Sequence, residues 1–215
     1  MSNRITLALT ATALFLSAGA TPLQAGDKVK FGGAATLALP TADLKTDTND
    51  KVGFGAAFQV TFDLGKGHAL RPRADVLVHD VKERRVSGGE DRETTELVSY
   101  GIGADYLYYF GGRTSRGLYA IAGLGVQHWN VAVTTHDWDG DSMKRYSYET
   151  SRKRTSLSGA VGLGYQVNTW FGAEVRYATA AYEGARGQTL GDSAAQTPSA
   201  NRTGGAIQLA ATFRW

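Results

Sequence analysis

Gly53-Phe-Gly-Ala-Ala-Phe-Gln-Val-Thr-Phe-Asp-Leu64 alternates without a break. Phe54, Ala56, Phe58, Val60, Phe62 and Leu64 fall on one face; Gly55, Ala57, Gln59, Thr61 and Asp63 fall on the other. A period of two is that of a β-strand, whose successive side chains point to opposite sides. One face is apolar and mostly bulky, the other small and polar. A soluble sandwich would bury the large face, and a membrane protein would turn it to lipid. Periodicity alone does not separate these cases.

Working outward, the same pattern gives eight strands, over 28–39, 52–64, 68–81, 95–110, 117–133, 154–167, 170–183 and 203–215. Each could cross a membrane, since a tilted spanning strand needs only about 9–11 residues. Their connections alternate in length. Pro40 to Lys51, Val81 to Thr94, Thr134 to Lys153 and Gly184 to Arg202 are long and polar. Gly65-Lys66-Gly67, Gly111 to Ser115 and Asn168-Thr169 are short. Long and short connections therefore lie at opposite ends of every hairpin, as in a transmembrane barrel with short periplasmic turns and longer external loops. A soluble sandwich has no reason to sort its loops this way. The expected fold is all-β, an eight-stranded antiparallel up-and-down transmembrane β-barrel with both termini periplasmic.

The start of the chain agrees. Arg4 precedes an uncharged stretch, Ile5 to Ala20, and the polar Thr21-Pro-Leu-Gln-Ala25 follows. This is the layout of a secretory signal peptide, and the apolar run is short for a spanning helix, which needs about 20 residues. Residues 1–25 are read as the signal, with cleavage after Ala25 (Ala20 is the second choice), and 26–215 as the barrel domain. The 215 residues contain no Cys, which excludes disulfides and thiolate metal sites. The formal charge of +3, with basic residues scattered along the chain, gives no ground for nucleic-acid binding.

Aromatic residues gather near the short-turn ends: Phe62, Tyr108, Phe110, Tyr165, Trp170, Phe171, Phe213 and Trp215. Amphipathic rings favour the membrane–water interface, so a girdle is expected there. The last strand, Ile207-Gln-Leu-Ala-Ala-Thr-Phe-Arg-Trp215, closes on an outward aromatic. It resembles the C-terminal signal of bacterial outer-membrane proteins, which more often ends in Phe. That resemblance implies an assembly signal in Phe213 and Trp215, read by the barrel-assembly machinery. Gly53-Phe-Gly55, Gly101-Ile-Gly103, Gly123-Leu-Gly125 and Gly162-Leu-Gly164 resemble the glycine-rich strands of small OmpA/OmpX-type barrels. A narrow lumen needs small inward residues. None of these pieces completes a nucleotide-binding G-x-G-x-x-G or opens a helix. The resemblance implies an envelope protein among outer-membrane lipid and lipopolysaccharide, taken here as a monomer.

Chemistry, if there is any, belongs to the inward charges. Arg71, Arg73 and Asp75 share a face of the third strand, Asp105 is inward on the fourth, and Glu174 and Arg176 on the seventh. Counting from the short turns sets Arg73, Asp105 and Glu174 at one depth, with Lys30, Asp63 and Arg214 near the periplasmic mouth. Buried ions must pair, so a salt-bridge network filling the lumen is expected. In the fifth strand Tyr119 and Ile121 fall on the inward face of Gly123, Gly125 and Gln127, a conflict that a bulge would resolve.

No catalytic constellation emerges. His128 has no close Ser partner of the kind seen in lipid-A deacylase barrels, and His79 and Asp80 face opposite ways. Asp137-Trp-Asp139-Gly-Asp141 lacks the spacing and closing Glu of a calcium loop. Neither a cofactor nor a metal is expected. The favoured reading is a non-enzymatic barrel with a side-chain-filled lumen, acting in envelope integrity and in surface interaction through four external loops. The alternatives are a narrow channel for small or apolar solutes and a lipid-modifying enzyme.

Overall fold

The alternating segments become β1 (Val29–Thr41), β2 (Gly53–Gly65), β3 (His68–Arg85), β4 (Arg92–Tyr109), β5 (Gly117–Asp139), β6 (Lys144–Gln166), β7 (Phe171–Glu183) and β8 (Asn201–Arg214). One short helix, α1 (Ala42–Thr48), follows β1. The computed structural model describes residues 28–85, 92–139, 144–183 and 201–215, with side chains for 28–79, 96–132, 151–183 and 202–215. The expected signal segment, 1–25, and residues 184–200 of the last long connection lie outside the described residues. Every strand pairs antiparallel with its sequence neighbours, and β8 returns to pair with β1, closing a barrel. Closure removes the unpaired edges that an open sheet would leave.

The barrel is apolar on the outside. Leu124 and Leu157 are 80% and 83% exposed, and Phe54, Ile102, Val161 and Val175 are exposed with them. A continuous apolar surface on this scale belongs against lipid, not water. Of the eight aromatics expected at the short-turn end, all but the half-buried Phe171 stand exposed on the outer surface. Three tight connections hold that end. Gly65-Lys66-Gly67 has positive φ throughout, at 85°, 53° and 83°. A side chain on Gly67 would run into the Tyr109 carbonyl, so two reasons require glycine there. In the third turn the Asn168 carboxamide accepts from the Trp170 and Phe171 backbone N–H groups, at 3.0 and 2.8 Å, as turn-forming Asn residues do.

The opposite end departs from expectation. The connections read as Val81–Thr94 and Thr134–Lys153 are mostly strand. The β3–β4 ladder runs to Arg85↔Arg92 and the β5–β6 ladder to Asp139↔Lys144. By contrast, β2 stops pairing with β3 at Gly53↔His79, and β7 with β6 at Ser158↔Ala180. Four strands thus continue as a sheet past the rim. The sequence of these extensions is mostly polar, so no apolar alternation marked them, while backbone ladders carry the pairing on. The conflict in β5 is not resolved by a bulge: its registers with β4 and β6 run without a shift.

Candidate functional site: the filled lumen

The lumen is filled in three layers, and the middle one is ionic. Arg71 on β3 stands directly opposite Asp105 on β4. Its Nη2 donates to Asp105 Oδ2 at 2.8 Å and its Nε to the same oxygen at 3.2 Å. The same guanidinium crosses the barrel to Glu174 on β7, with Nη1 donating to Oε1 and Nη2 to Oε2 at 3.1 Å. Arg71 is fully enclosed, at 0% exposure. Its planar fork engages both carboxylates at once, a geometry a lysine could not reproduce. Tyr119 adds an O–H donated to Glu174 Oε1 at 2.7 Å.

The rest of the expected set gathers around this brace. Arg176 reaches Asp105 at 3.3 Å. Arg73 pairs with Asp75 on its own strand at 2.8 Å and stands 3.7 Å from Asp105. All six inward charges therefore meet, and Arg71 is the one bonded to both Asp105 and Glu174. Counting residues from the turns ignored strand tilt, and the ladder sets Arg71, not Arg73, opposite Asp105. Glycine makes the room. A Cβ at Gly123 would overlap the Asp105 carboxylate, and one at Gly164 would overlap the Tyr119 ring. Tyr119 thus needs no bulge to turn it out, because it occupies the space that Gly164 leaves.

Below the ionic layer Tyr109 and Tyr119 stack with ring centroids 4.6 Å apart, and Leu107, Ile121 and Ala69 pack beside them. Arg214 seals this end. Its guanidinium lies 5.9 and 6.0 Å from the two ring centroids. It donates to the Tyr109 hydroxyl at 2.6 Å and to the Thr114 carbonyl at 3.2 Å. Thr114 in turn donates to Asp63 at 2.5 Å. Two of the three residues expected at the mouth are joined through Thr114. Lys30 sits half-buried on β1.

Above the ionic layer lies an apolar plug of Leu77, Leu97, Trp129, Val131 and Tyr182. It is closed by a piece that sequence reading left as loop. In α1, Leu44 is almost fully buried in this cluster. The helix is fastened to the outer ends of β7 and β8. Asp47 pairs with Arg202 and accepts the Tyr182 hydroxyl proton at 2.6 Å; Asp43 accepts from the Thr203 backbone N–H at 2.9 Å. Left-handed Asn49 ends it, as helix C-termini favour. The only sequence signal for this cap was one leucine among polar neighbours. Between plug and brace a cavity of about 30 Å³ borders Arg73, Asp75, Arg176, Ser158 and Gln208, room for about one water.

The described histidines do not assemble a reaction centre. His68 and His128 face outward, hydrogen-bonded to Tyr106 and to Thr155 respectively; His79 is buried in the upper lumen. The side chains of Asp137, Asp139 and Asp141 lie outside the described residues.

A family model described as the outer membrane protein beta-barrel domain matches residues 10–207. Among solved structures, a major outer membrane protein of Thermus thermophilus is similar over 87% of this chain and 99% of its own, at 15% identity and TM-score 0.52. Ail, the attachment invasion locus protein of Yersinia pestis, matches over 87% and 97% at 13% identity and TM-score 0.47. The N-terminal barrel domain of Pseudomonas aeruginosa OprF matches over 89% and 100% at 13% identity and TM-score 0.42. At such identities the likeness is one of fold alone. No protein of curated function is similar to the chain in sequence.

Proposed function

Because the chain belongs to the outer membrane protein beta-barrel family, we propose that it is a non-enzymatic barrel of the bacterial outer membrane whose lumen is closed and whose business is done on its outer surfaces. The observation that carries this reading is the brace from Arg71 to Asp105 and Glu174, which crosses the lumen between β3 and β7. A solute would have to break these bonds and leave charges unpaired in a low-dielectric interior. The apolar plug and α1 close the external side again, independently of the brace. What is left to act is the exterior: the belt that meets lipid, and the sheet that β3 to β6 raise beyond the rim. That sheet, with the loops around it, is the surface for interaction with other molecules. The girdled wall serves envelope integrity among phospholipid and lipopolysaccharide.

In this reading the protein works as a monomer without a cofactor, and the short turns and both termini face the periplasm. Phe213 and Trp215 serve as the signal read by the assembly machinery. The test is conductance of the purified protein in planar bilayers. The expected result is no steady current above the bare membrane. A steady current abolished by neutralising Glu174 or Arg176 would overturn the closed-lumen reading in favour of a channel.

A further inference from the structure

The short-turn rim is electrically lopsided. Lys66 tips the β2–β3 turn, Arg113 sits in the β4–β5 turn, Arg116 precedes β5 and Lys28 precedes β1, and all four are exposed. They belong to one sector. The two turns touch, since the Tyr109 N–H donates to the Gly67 carbonyl at 2.7 Å and a Cβ on Gly67 would press on Gly112. Lys28 is tied to the same place, its carbonyl accepting from the Asp63 N–H at 2.7 Å. Asp63 is the one carboxylate of this sector among the described residues, and it is occupied by the Gly65 N–H and the Thr114 hydroxyl. The third short turn, Asn168-Thr169 with Trp170, carries no charged side chain.

The cations also stand at the border of the apolar belt. Leu64, Phe110 and Leu118 beside them are exposed large hydrophobics facing outward. A molecule that touches both surfaces needs an anionic head and an apolar body. We infer that the sector formed by Lys28, Lys66, Arg113 and Arg116 binds the phosphate headgroup of an anionic phospholipid in the leaflet at the short-turn side. A soluble anionic polymer would use the charges and leave the adjoining apolar wall unused. The inference rests on the membrane-embedded reading above, and on the short turns facing the periplasm for which leaflet is meant.

The experiment places the folded protein in phosphatidylcholine vesicles with and without phosphatidylglycerol and measures, with spin-labelled lipids, the preference for the anionic lipid at the protein surface. A preference is expected. It should fall about fivefold or more in the variant K66Q/R113Q/R116Q, since one well-placed surface cation is worth that much. It should return in K66R/R113K/R116K. Heat-modifiable electrophoretic mobility confirms that each variant is folded. Equal preference in wild type and the glutamine variant would overturn the inference, as would co-sedimentation with peptidoglycan lost in that variant while lipid preference stays unchanged. Orientation is read separately, by labelling Gly111→Cys with a membrane-impermeant thiol reagent. Labelling in intact cells would overturn the periplasmic placement of the turns and leave the vesicle result standing.

Discussion

Arg71 holds two carboxylates from two other strands, with no water-exposed surface of its own. Removing such a partner is far more damaging than never having had the charges, because the orphaned ions stay buried. Arg71→Met is therefore expected to destabilise the barrel by about 3–5 kcal/mol, read from the urea midpoint of unfolding. In R71M/E174Q one of the stranded charges is gone, and Asp105 still has Arg73 and Arg176. Part of the lost stability should return. Equal midpoints for the single and double variants would show that Arg71 and Glu174 are not coupled. At this scale the sequence was informative about membership and misleading about depth. Parity along a strand told which of Arg71, Arg73, Asp75, Asp105, Glu174 and Arg176 point inward. Depth depends on strand tilt and register, which no single strand contains. The place of Tyr119 was hidden for a related reason: it is set by the absence of a side chain at Gly164 on the neighbouring strand.

At the scale of elements, the strands were legible where lipid imposes alternation, and poorly so where the sequence turns mostly polar. Hence most bounds fell within a few residues of those observed, β3 and β4 included, while β5 and β6 proved much longer at the ends away from the short turns. Helix α1 was not legible at all. Seven residues are about two turns, too few for a helical period to declare itself, and α1 forms only because the barrel mouth offers Leu44 a cavity. That dependence yields a prediction. Leu44→Asp should detach the cap, making residues 42–50 more readily cut in limited proteolysis, while planar-bilayer current stays at the background level because the ionic layer beneath is intact. A steady current in this variant would show that the cap, and not the brace, is the seal.

At the scale of the molecule the outer surface divides into an apolar belt, an aromatic border with a cationic sector beneath it, and a sheet standing clear of the rim. Ring closure binds these together, and the ladder of β1 with β8 joins residues from opposite ends of the chain, from Gly32↔Arg214 to Thr41↔Gly205. A chain ending before Asn201 loses two ladders at once and opens both β1 and β7 as edges. It should give no heat-modifiable folded species, not a weakened barrel; a folded truncated form, seen as a fast-migrating band, would contradict this. The residues whose meeting defines the lumen are equally remote, with Arg71 and Glu174 separated by 103 positions.

That separation sets the order of events in biogenesis. Hairpins of neighbouring strands can form early at small entropic cost, but a contact across such a span must wait for the late, slow steps. Until β7 arrives, Arg71 has only Asp105 to answer it, and Glu174 has nothing. The brace therefore rewards one register of closure: a ring sealed out of step leaves charge buried and unmatched in the lumen, a penalty that the correct ring escapes.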